Sequence, residues 1–378
     1  MSRRSDPTLC VVLPDRAIRY RDHWYMDAKT VTGLVQQFQD WDAPVVFVAE
    51  PADADAVPGP TWAQVAGLGS QCRLVASRDP GRVIAEESPE LWTALLMPRY
   101  LPLLETRLPG RRVLYAENDL ANRLRYSLEG VGSPLRRARI AAGAWSRERG
   151  LRRAVRRSAG VQCNGGAAFA AYGTLQPRSM MFYDSRVFRE SLAQGPRPLT
   201  GTLSLAFSGR LVQQKGFADA LAAFAEARRR GLDAVLHVFG DGDLRGMIPD
   251  NDPHIEYHGL VSYEPDWVRF MTEEVDALLI PHRQGDPSCT YLEGMGCALP
   301  FLSYDNDTAR HLVKVAQAGW TAPLGDVRGL AERLLRLQDD PGTLVAAQNA
   351  ALAFATQHTF ETEYARRVSH LRSCGQDG

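Results

Sequence analysis

Lysine is almost absent from this chain of 378 residues. Lys29, Lys215 and Lys314 are the only lysines among 44 basic residues, so arginine carries nearly all of the positive charge. Acidic residues also number 44, and the resulting formal net charge of zero gives no support to a nucleic-acid partner. Because lysine is so scarce, the surroundings of Lys215 are informative.

Long apolar runs and paired cysteines are lacking as well. No window approaches the roughly 18 apolar residues that a membrane-crossing helix needs, and the apolar stretch LCVVL near the N-terminus is too short for a signal peptide. The six cysteines lie far apart and form no CxxC pair, which argues against structural zinc and against a disulfide framework. The sequence therefore predicts a cytoplasmic protein or one attached to the inner surface of the membrane.

The chain is long enough for two domains of ordinary size. Short β-branched runs alternate with longer helical segments, which is typical of parallel α/β layers. The polar segment Glu190–Gly201 (ESLAQGPRPLTG) carries two prolines and two glycines and is typical of a linker. We expect an N-terminal domain over residues 1–195, a C-terminal domain over 202–355 and a closing segment over 356–378.

Each half has its own series of predicted elements. In the first half the predicted strands are Leu9–Leu13, Val45–Ala49, Arg73–Ala76, Thr93–Met97, Arg112–Ala116 and Gly160–Asn164, and the predicted helices are Ala28–Asp40 and Ser133–Ser158. In the second half the predicted strands are Leu203–Ser208, Ala234–Phe239, Ile255–Tyr257, Asp276–Ile280 and Phe301–Ser303, and the predicted helices are Gly216–Arg230, Tyr291–Cys297 and Val327–Gln338.

The first candidate site follows the strand Leu203–Ser208. The strand runs into Gly209 and Arg210, a loop follows, and Lys215-Gly216 opens a long amphipathic helix. This order places two cations beside the free backbone amides of a helix N-terminus, where a diphosphate binds favourably. The alternative is that Arg210 and Lys215 are solvated loop residues, and spacing alone supports the two interpretations equally.

A glycine pair follows the next strand of the second half. Gly240 and Gly242 let the backbone approach a ligand without a Cβ in the way. A tight turn is the commoner explanation of such a pair. The full GxGxxG pattern of dinucleotide-binding proteins is missing, because Arg245 stands where its last glycine would be.

The third candidate segment is Ile280–Asn306, in which a Gly/Asp/Pro/Ser loop leads into a helix near Thr290. Ser288 or Thr290 is a candidate cap for this helix, and its N-terminal amides are candidate phosphate ligands. Glu293 in the first turns is a candidate acceptor for both hydroxyls of a ribose. The alternative is an ordinary glutamate that the helix dipole favours.

Taken in order, these segments resemble glycosyltransferase family 4, the retaining GT-B enzymes also called glycosyl transferases group 1. The resemblance rests on the motifs SGRLVQQKG, FGDGDL, IEYHGLVS, VDALLIPH, LEGMGCALP and GWTAPLGDVRGLAERLLRL. It implies an α/β fold with two Rossmann-like domains whose parallel sheets face each other across a cleft. The closing HTFETEYARRV resembles the family's terminal helix, so the segment 356–378 is expected to cross back to the first domain.

The resemblance also implies roles for particular residues. Arg210 and Lys215 are expected to bind the donor diphosphate and to act in catalysis by neutralising its charge. Glu293 is expected to bind the nucleotide ribose. The further donor-binding candidates are Gly209, Gly240, Asp286, Ser288 and Thr290.

One position departs from the family pattern. Family members commonly have two glutamates with seven residues between them, and the first contacts the donor sugar. Counting back from Glu293 leads to Gly285, which has no side chain for that role. Asp286, one residue further on, is a candidate substitute if the loop is shifted.

The first half carries candidate acceptor-binding residues. The segment PDRAIRYRDHWYMDAK after the first strand is predicted to be a loop, rich in arginine and aromatic residues where family members often have glycines. Such a rim suits a sugar-bearing acceptor, because aromatic rings stack on sugar faces and arginine binds anions. The acceptor-side candidates are Arg16, His23, Arg99 and Asn118. Ordinary surface or structural roles are the alternative for each of them.

The segment Leu135–Arg157 is a candidate for peripheral membrane contact, since it has nine arginines against one glutamate. Such a segment attracts anionic lipid headgroups beside a lipid-linked acceptor. A solvated helix face is the alternative.

The sequence thus predicts a retaining glycosyltransferase that moves a sugar from a nucleoside diphosphate sugar to a saccharide or lipid-linked saccharide acceptor. The setting would be polysaccharide, lipopolysaccharide or other glycoconjugate assembly. The resemblance implies same-face substitution without a metal ion or resident cofactor. Gly285 keeps a catalytically weak sugar-nucleotide-binding protein as the first alternative. An NAD-dependent oxidoreductase is the second, and the missing GxGxxG disfavours it.

Overall fold

The computed structural model describes residues 6–53, 55–59, 61–199 and 201–376. The chain divides into two compact units. One comprises Met1–Phe182 together with Glu361–Gly378, and we call it the N-terminal domain. The other, Tyr183–Phe360, is the C-terminal domain. No helix in the described part of the chain is both long enough and apolar enough to span a bilayer.

The N-terminal domain is built on a largely parallel sheet. Its strands are β1 Leu9–Tyr20, β2 His23–Asp27, β3 Val45–Pro51, β4 Trp62–Gln64, β5 Cys72–Ala76, β6 Leu91–Leu95, β7 Arg111–Ala116, β8 Gly160–Asn164 and β9 Ser179–Phe182. Its helices are α1 Ala28–Phe38, α2 Pro80–Glu87, α3 Leu101–Glu105, α4 Leu120–Leu128, α5 Pro134–Arg156 and α6 Gly165–Tyr172. The parallel strands lie in the order β5-β3-β1-β6-β7-β8-β9, and β2 and β4 add an antiparallel extension.

The central strand β1 shows why this sheet is covered on both faces. Cys10 and Val12 pack into one buried cluster, and Leu9, Val11 and Leu13 pack into another. Because neighbouring side chains of a strand point to opposite faces, both faces of a buried parallel strand must be apolar. The run LCVVL therefore forms the middle of a core.

The prediction of a loop after Leu13 is wrong. The strand continues to Tyr20, turns at Arg21 and Asp22, and returns as β2. The two turn residues have φ of 47° and 65°, the conformation that a two-residue hairpin turn favours. Ala17 and Met26 on the two hairpin strands are buried, and this burial holds the segment in the sheet.

The C-terminal domain is a wholly parallel sheet with helices. Its strands are β10 Leu203–Ser208, β11 Ala234–Phe239, β12 Ile255–Gly259, β13 Ala277–Leu279, β14 Phe301–Tyr304 and β15 Gly319–Ala322. Its helices are α7 Phe217–Arg229, α8 Val268–Glu274, α9 Cys289–Gly296, α10 Asp307–Ala316, α11 Val327–Asp339 and α12 Pro341–Gln357. The strand order β12-β11-β10-β13-β14-β15 is that of the Rossmann fold, since it is 3-2-1-4-5-6 within the domain.

The first domain boundary lies earlier than residue 195. The amide of Phe360 donates to the carbonyl oxygen of Val187 at 2.7 Å, and the amide of Ala193 donates to the carbonyl oxygen of Gly296 at 2.9 Å. These bonds attach the segment after Phe182 to the C-terminal domain. Of the predicted linker, Thr200 lies outside the described residues.

The last helix, α13 Phe360–Gly375, belongs to the N-terminal domain from Glu361 onward. Val368 and Leu371 are buried in the core cluster that also holds Leu9 and Val11. The side-chain amide of Gln162 on β8 donates to the backbone carbonyl oxygen of Arg367 at 2.9 Å. Helix α13 therefore packs into the core of the N-terminal domain.

Candidate functional site

The strand order of the C-terminal domain fixes where a ligand is expected. Chain connections leave β10 toward one side of the sheet and β13 toward the other, so a crevice forms beyond the carboxyl ends of these two strands. Residues Gly209 to Gly216 follow β10, and residues 280 to 288 connect β13 to α9. Both segments carry residues that the sequence had singled out.

A pocket of about 310 Å³ lies at this edge of the sheet. Five predicted residues line it together: Gly209, Arg210, Gly240, Thr290 and Glu293. The rest of its lining consists of Arg186, Ser208, Phe239, Asp241, Gly259, Leu260, Val261, Tyr263 and Trp267. The pocket thus combines glycine backbone, two arginines, two carboxylates and an apolar wall.

The glycines in this pocket allow two strand ends to approach closely. Gly240 has a φ of +120°, and a Cβ there would lie 1.9 Å from the carbonyl oxygen of Gly209. The amide of Gly240 donates to the carbonyl oxygen of Gly259 at 2.7 Å, which ties the ends of β11 and β12 together. Only glycine fits at position 240, so the wall of the pocket there is backbone.

Arg210 and Lys215 have different surroundings. Arg210 is exposed at the pocket, and its guanidinium makes no ion pair with any described residue. The Lys215 side chain is 12% exposed, and its ammonium lies 3.2 Å from Asp286 Oδ2 and 3.5 Å from Ser288 Oγ. The second carboxylate oxygen of Asp286 is buried and has no hydrogen-bond partner among the described residues. Lys215, Asp286 and Ser288 therefore form a cluster of their own, which we call the lysine cluster.

The predicted capping of α9 by a hydroxyl is not observed. Ser288 occupies the N-cap position, but its side chain makes no capping hydrogen bond. Its hydroxyl turns instead to Lys215 and to Thr290 Oγ1, which lies 3.4 Å away. Since Thr290 lines the pocket, Ser288 connects the lysine cluster with the pocket.

Glu293 is 5% exposed and is held by a residue that sequence reasoning missed. Arg186 Nε donates to Glu293 Oε1 at 2.9 Å, and the Arg186 guanidinium lies 4.1 Å from the ring centroid of Tyr263. Burial raises the pKa of the Tyr263 hydroxyl. Tyr263 stacks on Trp267, with ring centroids 5.5 Å apart. Arg186 is 107 residues from Glu293 in sequence, so no local pattern signals this pair.

His282 was also not singled out. It lies three residues after the end of β13 and is 1% exposed, and neither ring nitrogen has a hydrogen-bond partner among the described residues. Burial lowers the pKa of this imidazole well below its ordinary value of 6.5, and the charge of Lys215 lowers it further. The ring packs edge-on against Tyr291, with centroids 5.2 Å apart.

The acceptor-side candidates do not gather at one place. Arg99 lines a second pocket, of about 690 Å³ within the N-terminal domain, together with Glu50, Arg78 and Arg82. Arg16 lies beside it, because its guanidinium is 3.5 Å from Glu50. The described lining of this pocket includes neither of the other two candidates, His23 and Asn118.

His23 and Asn118 have structural contacts instead. The Nδ1 atom of His23 is 3.1 Å from the side-chain amide of Gln64, on the strand paired with β2. The backbone carbonyl of Asn118 accepts a hydrogen bond from Arg123, and its side-chain oxygen is buried without a partner among the described residues. His23 was predicted in a loop, but it begins strand β2.

The C-terminal domain matches a glycosyltransferase family in sequence, and both domains match solved structures in fold. Residues 202–340 match the family described as Glycosyl transferases group 1. The amylovoran biosynthesis glycosyltransferase AmsK of Erwinia amylovora is 28% identical over 173 residues, which are 43% of this chain and 41% of that protein. The chain thus matches about two fifths of the length of the curated relatives.

Solved structures match over the whole chain. Sucrose-phosphate synthase from Thermosynechococcus elongatus has a TM-score of 0.66 at 12% identity, with 98% of this chain and 99% of that chain covered. HepE from Anabaena, solved in complex with UDP, has a TM-score of 0.61 at 13% identity, with 97% and 100% covered. The predicted fold class is confirmed: the chain has the two α/β domains of the GT-B fold, and its C-terminal domain carries the match to the group 1 glycosyl transferases.

Proposed function

We propose that the protein is a retaining glycosyltransferase that moves a sugar from a nucleoside diphosphate sugar to a hydroxyl acceptor. The observation that carries the proposal is the pocket beyond β10. There Arg210, which has no ion-pair partner in the part of the chain that the structure describes, stands beside the glycine backbone of positions 209 and 240. A cation beside an approachable backbone favours the binding of a diphosphate. The match of residues 202–340 to the group 1 glycosyl transferases supports the same assignment.

The proposed chemistry is electrostatic. As the sugar–phosphate bond breaks, Arg210 and Lys215 stabilise the negative charge that develops on the departing diphosphate. Lys215 is held in position by Asp286 and Ser288 until the phosphate arrives. The acceptor hydroxyl attacks from the face that the diphosphate leaves and gives its proton to the leaving phosphate. This scheme uses no covalent nucleophile, metal ion or resident cofactor in the transfer.

Glu293 and Asp286 are assigned the remaining donor contacts in this proposal. The ribose hydroxyls donate to the Glu293 carboxylate, which Arg186 orients. Asp286 takes the place of the missing first glutamate and accepts a hydroxyl of the donor sugar. Its buried oxygen without a partner among the described residues supports this role, because such an atom gains from a hydrogen-bond donor.

The acceptor is proposed to be a saccharide or lipid-linked saccharide that carries negative charge, in the assembly of a polysaccharide, lipopolysaccharide or other glycoconjugate. The pocket of the N-terminal domain supports this, because Arg78, Arg82 and Arg99 line it. Arginine binds carboxylate and phosphate groups in a bidentate manner. The relative named for amylovoran biosynthesis supports a role in glycan assembly.

We also propose that α5 contacts anionic membranes. Leu135 and Trp145 on this helix are 78% and 56% exposed, among many exposed arginines. Apolar side chains beside cations suit the lipid headgroup region. Co-sedimentation should be stronger with vesicles of anionic lipid than with phosphatidylcholine vesicles, and Trp145→Ala should weaken it. Equal recovery with both vesicle types would argue against the contact.

Nucleotide binding tests the proposal directly. Isothermal titration calorimetry of the full chain with UDP and with GDP should detect binding of at least one of them. Arg210→Ala should weaken it roughly tenfold or more, about the contribution of one charge-assisted hydrogen bond. Arg328→Ala is the matched control, because Arg328 is 78% exposed on α11 and its ion-pair partner among the described residues is Glu332 of the same helix. If the affinity stays unchanged in both Arg210→Ala and Lys215→Ala, the proposed site is wrong.

Two assays separate the alternatives. Retaining transfer predicts a product whose anomeric configuration equals that of the donor, which NMR of the product measures. A catalytically weak binding protein would bind nucleotide and release no sugar to acceptor or to water. An NAD-dependent oxidoreductase would change the fluorescence of NADH, whereas the proposed protein should not.

A further inference from the structure

Two histidines and a glutamate converge on the edge of the C-terminal sheet. His237 lies on β11, and Glu256 and His258 lie on the edge strand β12. The register pairs His237 with Glu256, and Glu256 and His258 are two residues apart, so all three side chains share one face. The pairing then slips, since Phe239 is opposite Gly259, and His258 is the additional residue of this bulge.

The three facing ligand atoms form a small triangle. His237 Nδ1 is 3.1 Å from His258 Nε2 and 3.3 Å from Glu256 Oε2, and His258 Nε2 is 3.9 Å from the same carboxylate oxygen. Two ligand atoms that each lie about 2.1 Å from one ion at a tetrahedral angle are about 3.4 Å apart. The observed separations bracket this value, so one ion can reach all three atoms with small side-chain movements.

The surroundings favour neutral imidazoles, which are the form that binds metal. Burial lowers the pKa of His237 and of His258 below the ordinary value of 6.5. Phe270 of α8 packs against both rings, at centroid distances of 5.0 Å and 4.8 Å. Glu256 is 55% exposed and leaves the triangle open to solvent on one side. The alternative is that the three side chains only hydrogen-bond to one another and bind no ion.

We propose that His237, Glu256 and His258 bind a divalent transition-metal ion such as Zn²⁺. Two imidazole nitrogens and one carboxylate oxygen are a ligand set that suits zinc and its neighbours in the periodic table and does not suit Mg²⁺ or Ca²⁺. The sequence does not reveal this set, because its members come from two strands and follow no linear spacing motif. This site goes beyond the proposed transfer reaction, in which no metal takes part.

The site lies next to the nucleotide pocket. The His258 ring stacks on Phe239, with centroids 4.4 Å apart and planes inclined by 5°. Phe239 and Gly259, the residue after His258, both line the pocket. A bound ion therefore fixes two strand ends that form the pocket wall, which gives it a structural role there.

Metal titration of the full chain tests this proposal without any sugar nucleotide. After treatment with a chelator, the protein should bind one Zn²⁺ per chain in isothermal titration calorimetry. Co²⁺ should give the visible absorption of a low-coordinate nitrogen and oxygen site. Glu256→Gln and His258→Asn should each weaken Zn²⁺ binding by more than about 100-fold, the upper end of the loss that outer-sphere partners cause.

The matched control is His254→Asn, which removes a histidine just before β12 that is not part of the triangle. It should bind Zn²⁺ as the unchanged protein does. Circular dichroism checks the fold of each variant. If His258→Asn fails to fold, Glu256→Gln still tests the proposal, because it alters only an exposed side chain. Absence of binding by the unchanged protein would overturn the proposal. Undiminished binding by Glu256→Gln would overturn it as well.

Discussion

Replacement of Lys215 by methionine should reduce both the stability of the C-terminal domain and its affinity for nucleotide. The Lys215 side chain is 12% exposed, and its ammonium lies 3.2 Å from the carboxylate of Asp286, whose side chain is 24% exposed. The other oxygen of that carboxylate has no hydrogen-bond partner among the described residues. Removing the lysine therefore leaves a largely buried negative charge without its cation. Loss of a charged hydrogen bond costs roughly 1.5–3 kcal/mol, and the partial exposure of Asp286 places the expected loss near the lower end, at about 2 kcal/mol.

Urea unfolding of the full chain, followed by circular dichroism, measures this loss. Arg210→Ala is the comparison, and it should leave the free energy of unfolding unchanged, because Arg210 is exposed and has no ion-pair partner among the described residues. The double variant Lys215→Met/Asp286→Asn removes the buried charge together with its partner. It should therefore recover most of the lost stability.

Nucleotide affinity is expected to behave differently. Both Lys215→Met and Arg210→Ala should weaken the binding of UDP or GDP by roughly tenfold or more, and the double variant should not recover it. If the double variant regains full affinity, Lys215 only neutralises Asp286 and does not bind phosphate. If Lys215→Met unfolds at the same urea concentration as the unchanged protein, the argument from the buried ion pair is refuted.

Three further predictions follow from single positions. Gly240→Ala should lower the free energy of unfolding by about 1–3 kcal/mol and weaken UDP binding, because residue 240 has a φ of +120° and a backbone oxygen would lie 1.9 Å from the new Cβ. Urea unfolding and calorimetric titration measure the two effects. Gly246→Ala is the control and should change neither quantity, because a Cβ at position 246 meets nothing within 4 Å. Glu293→Gln should reduce the preference for UDP over 2′-deoxy-UDP by about tenfold in calorimetry, since the carboxylate is proposed to bind the ribose hydroxyls; an unchanged preference would remove that role. Burial lowers the pKa of His282 well below 6.5, so the unfolded chain binds a proton there before the folded chain does. The free energy of unfolding should therefore fall as the pH drops below about 6.5, by at most about 1.4 kcal/mol per pH unit from this residue, and His282→Phe should reduce that slope in urea unfolding.

Most strands of the C-terminal domain could be predicted because each buried parallel strand is a short apolar run between polar loops. The predicted bounds of β10 and β11 agree with the structure at every residue. The hairpin β1–β2 could not be predicted in this way. Between residues 14 and 27 many side chains are polar, and only Ala17, Ile18 and Met26 are buried, so the signal of alternation is weak.

Some residues of the candidate site could be predicted from the sequence, and others could not. Gly209, Arg210 and Gly240 were predicted together because each follows the end of a strand, and carboxyl ends of parallel strands meet at one edge of a sheet. Arg186 reaches Glu293 through tertiary packing over 107 residues, and no periodicity reports such a contact. The distinct settings of Arg210 and Lys215 are likewise a property of the folded loops.

A crystal structure of the full chain with UDP or GDP bound tests the central claim most directly. The account predicts the diphosphate against the Arg210 guanidinium and the backbone of Gly209 and Gly240, with the ribose hydroxyls on Glu293. A nucleotide bound at another place, with Arg210 directed into solvent, would contradict it.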